Sequence, residues 1–213
     1  MSKLETIELK KGIETLGVGV FKNCAKLSSI KVAIDNMKYQ SIEGVLYTKP
    51  ESANIKAIIL IEYPMNKEGK TYNIEQVDIT EIKPYAFYNH STLAFIELND
   101  KLTTIGKHAF EETKSIKTII LPQSVTTIGS KAFANSVLKL LFYLGTSQLT
   151  CDDNIYSTTI ENVRAMRRFE TDETTLCSSG KNKSTKILMI MANQELMQDL
   201  FMIIKQKTCL FTE

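Results

Sequence analysis

The chain has 213 residues, 43% of them hydrophobic and 23% charged, with a formal net charge of +2. That composition argues against wholesale disorder, and the near-neutral balance supplies no basic field for nucleic acid or an anionic membrane. The length suits one compact domain or one repeat array with extra terminal material. Cys24, Cys151, Cys177 and Cys209 are far apart and form no CxxC, and His90 and His108 are the only imidazoles, so a zinc site has almost nothing to be built from. A disulfide stays open, and cysteines this sparse leave the redox compartment undecided.

Met1-Ser2-Lys3 leads directly into Leu4-x-x-Ile7-x-Leu9. No apolar run of about 7 to 15 residues follows a basic start, so no secretory signal peptide is visible. Nor is there a nearly uncharged apolar stretch of about 18 residues, so nothing spans a membrane. Either the protein works inside the cell, or it is exported by another route, or the sequence begins inside a longer array.

The first phrase continues as Ile13-x-x-Leu16-Gly17-x-x-Val20-Phe21, and its strand restarts at Leu27-x-x-Ile30-x-Val32, 23 residues after Leu4. Cys24, between Phe21 and Leu27, reads as a small buried hydrophobe at a tight turn. The period then fails over about residues 33–77. This stretch is rich in β-branched and aromatic residues and cut by Gly44, Pro50, Pro64 and Gly69, which predicts short strands with tight turns. Variant coils that continue the array are expected there, with an inserted β-hairpin subdomain as the alternative.

Regular phrasing resumes at Ile79-Thr80-Glu81-Ile82-Lys83-Pro84-Tyr85-Ala86-Phe87. From Leu93 the chain reads Leu93-x-x-Ile96-x-Leu98, Leu102-Thr103-Thr104-Ile105-Gly106-x-x-Ala109-Phe110. From Ile116 it reads Ile116-x-x-Ile119-x-Leu121, Val125-Thr126-Thr127-Ile128-Gly129-x-x-Ala132-Phe133, each matching pair 23 residues apart. A fixed period of this length opening with L-x-x-L-x-L is the signature of a leucine-rich repeat solenoid. The last strand, Leu138-x-x-Leu141-x-Tyr143, arrives one residue early.

The Ile-Gly-x-x-Ala-Phe phrase, the place of Cys24, the block Ser41-Ile42-Glu43-Gly44-Val45-Leu46-Tyr47 through Tyr63-Pro64, and the ending Tyr143-Leu144-Gly145-Thr146 before Cys151-Asp152 resemble the BspA-type leucine-rich repeats. That family is found in bacterial and protist cell-surface proteins, and the resemblance covers roughly residues 4–165. It implies surface display, adhesion to host or matrix proteins, and no catalysis. Leu16 and Val20 depart from the usual Ile and Ala, and Lys83-Pro84 from Gly and its neighbour.

The expected fold is an α/β leucine-rich repeat solenoid of mostly short parallel strands, turns and short helical segments over residues 1–165. Strand residues alternate faces, so the fourth and sixth positions of each phrase point inward, and each contributes roughly 1.5–3 kcal/mol by burial. Gly17, Gly106 and Gly129 mark places of φ > 0 or close approach. Phe21, Phe87, Phe110 and Phe133 are expected to stack as an aromatic spine; a cofactor-binding aromatic row is the weaker reading.

The intervening positions point outward: Thr6 and Glu8, Ser29 and Lys31, Phe95 and Glu97, Thr118 and Ile120, Leu140 and Phe142. The last three pairs put an apolar patch on the face that a solenoid offers to partners, so Phe95, Glu97, Thr118, Ile120, Leu140 and Phe142 are the candidate protein-binding residues. Coverage of this patch by the C-terminal segment, or stacking of another chain, is the competing reading.

Residues 166–184 read as a polar linker around Ser178-Ser179-Gly180. Over 185–213, Met189, Ala192, Leu196, Leu200 and Ile203 recur at helical spacing, which predicts an amphipathic helical tail or cap. Acids and amides on its polar face disfavour a membrane-surface role. No phosphate loop, GxSxG or HExxH occurs, so neither catalytic nor cofactor residues are assigned. His108 is expected to be simply exposed, Asp152-Asp153-Asn154 to be a turn before a calcium site, and Asn89 and Asn182 to matter as sequons only in a secreted chain. Two functions follow: a surface adhesin or antigen-like protein that binds a protein ligand, or an intracellular leucine-rich repeat scaffold.

Overall fold

A computed structural model of the chain describes residues 3–50, 57–74, 77–145, 149–152, 154–156 and the backbone of 164–167. The strands, in chain order, are β1 (Thr6–Leu9), β2 (Ser29–Val32), β3 (Tyr39–Ile42), β4 (Val45–Thr48), β5 (Ile58–Glu62), β6 (Thr71–Asn73) and β7 (Ile79–Ile82). They continue with β8 (Phe95–Glu97), β9 (Thr104–Ile105), β10 (Thr118–Leu121), β11 (Thr127–Ile128), β12 (Leu140–Tyr143), β13 (Thr150–Cys151) and β14 (Arg164–Arg167).

The Leu-x-x-Ile-x-Leu phrases make the first set of strands, stacked parallel as β1–β2, β6–β8 and β10–β12–β14. Ile7 pairs with Ile30 and Ile119 with Leu141, so the inward positions form columns as the period predicts. The early arrival of β12 is real: Thr118 pairs with Leu140, and Leu140 then pairs with Arg164, which restores the lost residue. β14 carries the stack to Arg167. The rest of 166–184, and the expected helical tail over 185–213, lie outside the described residues.

The coils of β6, β8, β10 and β12 each contribute a second strand that the repeat phrase did not announce, whereas the first coil has none. The Thr-Thr-Ile phrases pair parallel as β7–β9–β11–β13, with Ile82, Ile105, Ile128 and Cys151 in one column. Each is only two to four residues long, too short to show a period of two.

The expected short helical segments are not seen: no helix occurs among the described residues, and that part of the fold is all-β. The Gly-x-x-Ala-Phe segments are chains of turns. Tyr85, His108 and Lys131 have φ of 67°, 59° and 55°, and Asn89, Glu112 and Asn135 return to 53°, 60° and 53° four residues later. Left-handed residues at that spacing bar a right-handed helix. The freed N–H groups bond the next coil instead, Phe87 N to Ala109 O at 2.8 Å and Phe110 N to Ala132 O at 2.7 Å.

Residues 39–48 are not a variant coil. β3 and β4 pair antiparallel across Glu43-Gly44, whose φ values of 51° and 80° suit a two-residue type I′ turn. β4 also pairs antiparallel with β5, which joins β7 in parallel and returns the chain to the array. All of Val45, Leu46 and Tyr47 are buried, because β4 walls off two cores: Leu46 belongs to the N-terminal one with Phe21, Cys24 and Leu27, and Val45 and Tyr47 to the larger one beyond.

The hairpin also changes the aromatic spine. Phe21 lies in the N-terminal core and is not part of it. The stacked rings are Tyr63, Phe87, Phe110, Phe133 and Tyr156, with centroids 5.2, 4.8, 5.6 and 5.9 Å apart. The glycines divide too. A Cβ on Gly106 would stand 2.5 Å from Pro84 N, and one on Gly129 2.5 Å from Lys107 N, so these two allow close passage of the preceding coil; around Gly17 nothing lies within 4 Å.

Candidate protein-interaction face

The outward residues of the first strand set form two columns. Thr71 pairs with Phe95 and Thr118 with Leu140 in one, while Asn73 pairs with Glu97 and Ile120 with Phe142 in the other. β8 packs beside β10, which joins the two pairs into one surface. Phe95, Glu97, Thr118, Ile120 and Leu140 are half-buried there. Phe142 is not available: it is 3% exposed, removed from solvent within the chain itself. The apolar outward residues that keep some exposure are Phe95, Ile120 and Leu140, with Glu97 and Thr118 beside them.

The second strand set is different in chemistry. Its outward positions are Glu81, Thr104, Thr127 and Thr150, one polar column across four coils. Beside it Thr103 and Thr126 each donate a hydroxyl hydrogen bond to the carbonyl one coil earlier, Thr80 O at 3.0 Å and Thr103 O at 3.3 Å. From β7 to β13 the second set thus presents polar side chains, with the half-buried Ile59 of β5 next in the column beside Glu81, whereas the first set carries Phe95, Ile120 and Leu140.

Cys24 is a buried free thiol in the turn from Phe21 to Leu27, as its place in the phrase predicts. Cys151 is disulfide-bonded. His108 is a correction: rather than projecting freely it is 9% exposed, stacks on Tyr85 with centroids 4.7 Å apart, and its Nδ1 lies 2.7 Å from Glu111 Oε2. Lys22 caps the same stack, its Nζ 4.7 Å from the Tyr85 ring centre. The signal was the repeat itself, since position 108 matches Tyr85 one period earlier.

Asp152 Oδ2 accepts from Ser130 N of the preceding coil at 3.2 Å, while Asp153 lies outside the described residues. Among the described residues no three His, Cys, Asp or Glu side chains gather as metal ligands, and no helix is long and apolar enough to cross a membrane. The Asn89 sequon is half-buried, its Nδ2 directed at Met65 Sδ 3.7 Å away and its Oδ1 sealed from water, so a glycan there conflicts with the native packing. Asn182 lies outside the described residues.

Two buried titratable groups sit at the junction of the hairpin and the array. Glu62, at the end of β5, is 4% exposed, and burial holds its carboxyl well above the usual range. His90 is fully buried against the edge of Tyr63; its Nδ1 accepts from Leu93 N at 3.1 Å, and burial pulls its pKa down to about 4. Neither belongs to the outward face.

The profile of the BspA type Leucine rich repeat region matches residues 1–58 and 65–180 in six copies. The chain belongs to this family. Among solved structures it is similar to a leucine-rich repeat protein from Eubacterium ventriosum, at 26% identity and a TM-score of 0.63, over 78% of this chain and 42% of that one. It is also similar to the pneumococcal vaccine antigen PcpA, at 21% identity and a TM-score of 0.50, over 78% of this chain and 51% of that one. This BspA-type chain spans about half or less of each. No curated protein sequence matches it.

Proposed function

We propose that this chain is a non-catalytic protein-interaction module of a surface adhesin or antigen-like protein, and that it takes its protein partner on the outward face of the first strand set. The observation that carries this reading is the asymmetry between the two strand sets: Phe95, Ile120 and Leu140 stand on one, and Glu81, Thr104, Thr127 and Thr150 on the other. Apolar residues gathered on one open sheet face mark an interaction site more than any single exposed residue does. Membership of the BspA-type family supports a binding role without catalysis.

The test is solid-phase binding of the full chain to a panel of purified extracellular-matrix proteins, beside the variant Phe95→Lys/Ile120→Lys. Saturable binding by the wild type, lost in a variant that still melts with the wild type, supports the reading. Binding that survives both lysines contradicts it, and a variant that fails to fold shows that the patch is covered by the chain itself.

A further inference from the structure

The corner that follows β2 departs from the matching corners of the array. After the strand phrase the other regular coils carry Lys11, Asp100 and Gln123, and three residues later Glu14, Thr103 and Thr126, all exposed. In the coil of β2 those positions hold Ile34 and Met37, which are 95% and 77% exposed. The corner is built to keep them there. Asn36, between them, stands where Leu102 and Val125 are core residues, and it is fully buried. Its Nδ2 donates to Lys10 O at 2.8 Å and Ile13 O at 3.0 Å, and its Oδ1 accepts from Lys38 N and Tyr39 N, both at 2.9 Å. Lys49 Nζ donates to Ile34 O and Asn36 O. Turning the two apolar side chains inward would break these bonds and leave buried polar groups unpaired. The corner stands on the second coil with the first stacked beneath it, so it does not depend on what adjoins the first.

We propose that this corner is a membrane-surface contact, at which Ile34 and Met37 enter the headgroup boundary of an anionic bilayer. Two side chains on a projecting turn are far from the roughly 800 Å² that each partner buries in a stable protein interface. Isolated apolar side chains ringed by lysines fit a lipid boundary, where the apolar parts insert and the ammonium groups stay among the headgroups. Around the corner, residues 8–14, 31–38 and 49 carry Lys10, Lys11, Lys31, Lys38 and Lys49 against Glu8, Glu14 and Asp35. Five lysines against three acids give +2, the charge of the whole chain gathered at one corner. Two of those acids are already paired, Glu8 with Lys10 at 2.6 Å and Asp35 with Lys11 at 3.9 Å. The attraction to acidic lipid therefore adds to insertion. This contact is separate from the strand face and stands whether or not that face binds a protein.

Co-sedimentation of the full chain with phosphatidylcholine vesicles, with and without about one quarter phosphatidylserine, tests it. The expected pelleted fraction rises with phosphatidylserine and falls as salt approaches about 1 M. Ile34→Asp and Met37→Asp each lower the partition coefficient by roughly tenfold or more while melting with the wild type. Gln123→Asp, the same charge change at the matching corner of another coil, leaves it within about twofold. A wild-type chain that stays in the supernatant with the acidic vesicles overturns the proposal. So does an equal loss from Gln123→Asp, which would reduce the contact to net charge. Lower melting of both corner variants would show that the chain itself covers the pair, and loss of matrix-protein binding with vesicle binding intact would assign the pair to a protein; either result overturns it. If only one corner variant melts early, the other decides.

Discussion

The rings of Phe87 and Phe110 lie 4.8 Å apart and within 8° of parallel, one coil above the other. Phe133 continues the stack at 5.6 Å and 11°. One coil cannot bury its own aromatic ring, so each ring gains its burial from both neighbours, and the fold is held by the interfaces between coils. Phe110, fully buried between two rings, is where that dependence is strongest. Phe110→Ala should cost roughly 3–5 kcal/mol in a urea titration. A midpoint within error of wild type would refute the spine.

Gly129 and Gly17 occupy the same place in their phrases yet face different surroundings. Gly129→Ala puts a methyl 2.5 Å from the backbone nitrogen of Lys107, which cannot yield as a flexible side chain could. The expected loss is about 2 kcal/mol or more. Gly17→Ala meets nothing within 4 Å and should be neutral, or stabilise by about 0.4–1 kcal/mol through the unfolded chain. Thermal melts of the two variants must separate in that order; equal losses would mean that the close coil passage at Gly129 is not what requires glycine.

His90 makes the array acid-sensitive. Its folded pKa of about 4 lies below the ordinary 6.5, so the unfolded state takes up the proton first. The stability tied to this group is therefore complete above pH 6.5 and is lost as pH falls towards 4, about 3 kcal/mol in all. The matching position one coil later is Thr113, whose hydroxyl donates to Phe110 O at 3.0 Å. His90→Thr should flatten the profile between pH 6.5 and 4. An unchanged acid limb in the variant would assign the sensitivity elsewhere.

Glu62 works in the opposite direction. Its folded pKa is raised, so the folded chain holds a proton that the unfolded chain releases, and stability falls as pH climbs above the ordinary carboxylate range. No cation among the described residues lies within salt-bridge distance of it. Glu62→Gln should be more stable than wild type at pH 8, with the gap closing near pH 4. Parallel curves at the two pH values would show that Glu62 is not buried as a neutral acid.

Sequence alone was enough where residues kept the 23-residue step. The inward column through Ile7 and Ile30 falls where the spacing puts it. It failed where the step was broken or too short to read. Tyr63 takes the spine position expected of Phe21, because the inserted hairpin resets the count. Thr104-Ile105 is a strand only because Thr127-Ile128 lies beside it, which is tertiary information. The turns after Gly106 avoid helix through left-handed His108 and Glu112, residue types that carry no such preference as strongly as glycine does. Of the outward patch, Phe95, Ile120 and Leu140 were legible from alternation, and Phe142 was not, since alternation names a face and not what covers it.

The central claim is that one strand face, and not the other, meets a protein partner. Its most direct measurement compares two double variants for matrix-protein binding at matched folding: Phe95→Lys/Ile120→Lys on the first strand set, and Thr104→Lys/Thr127→Lys on the second. The account predicts that the first pair abolishes binding and the second leaves it intact. Equal loss from both pairs, or loss from the threonine pair alone, would contradict it.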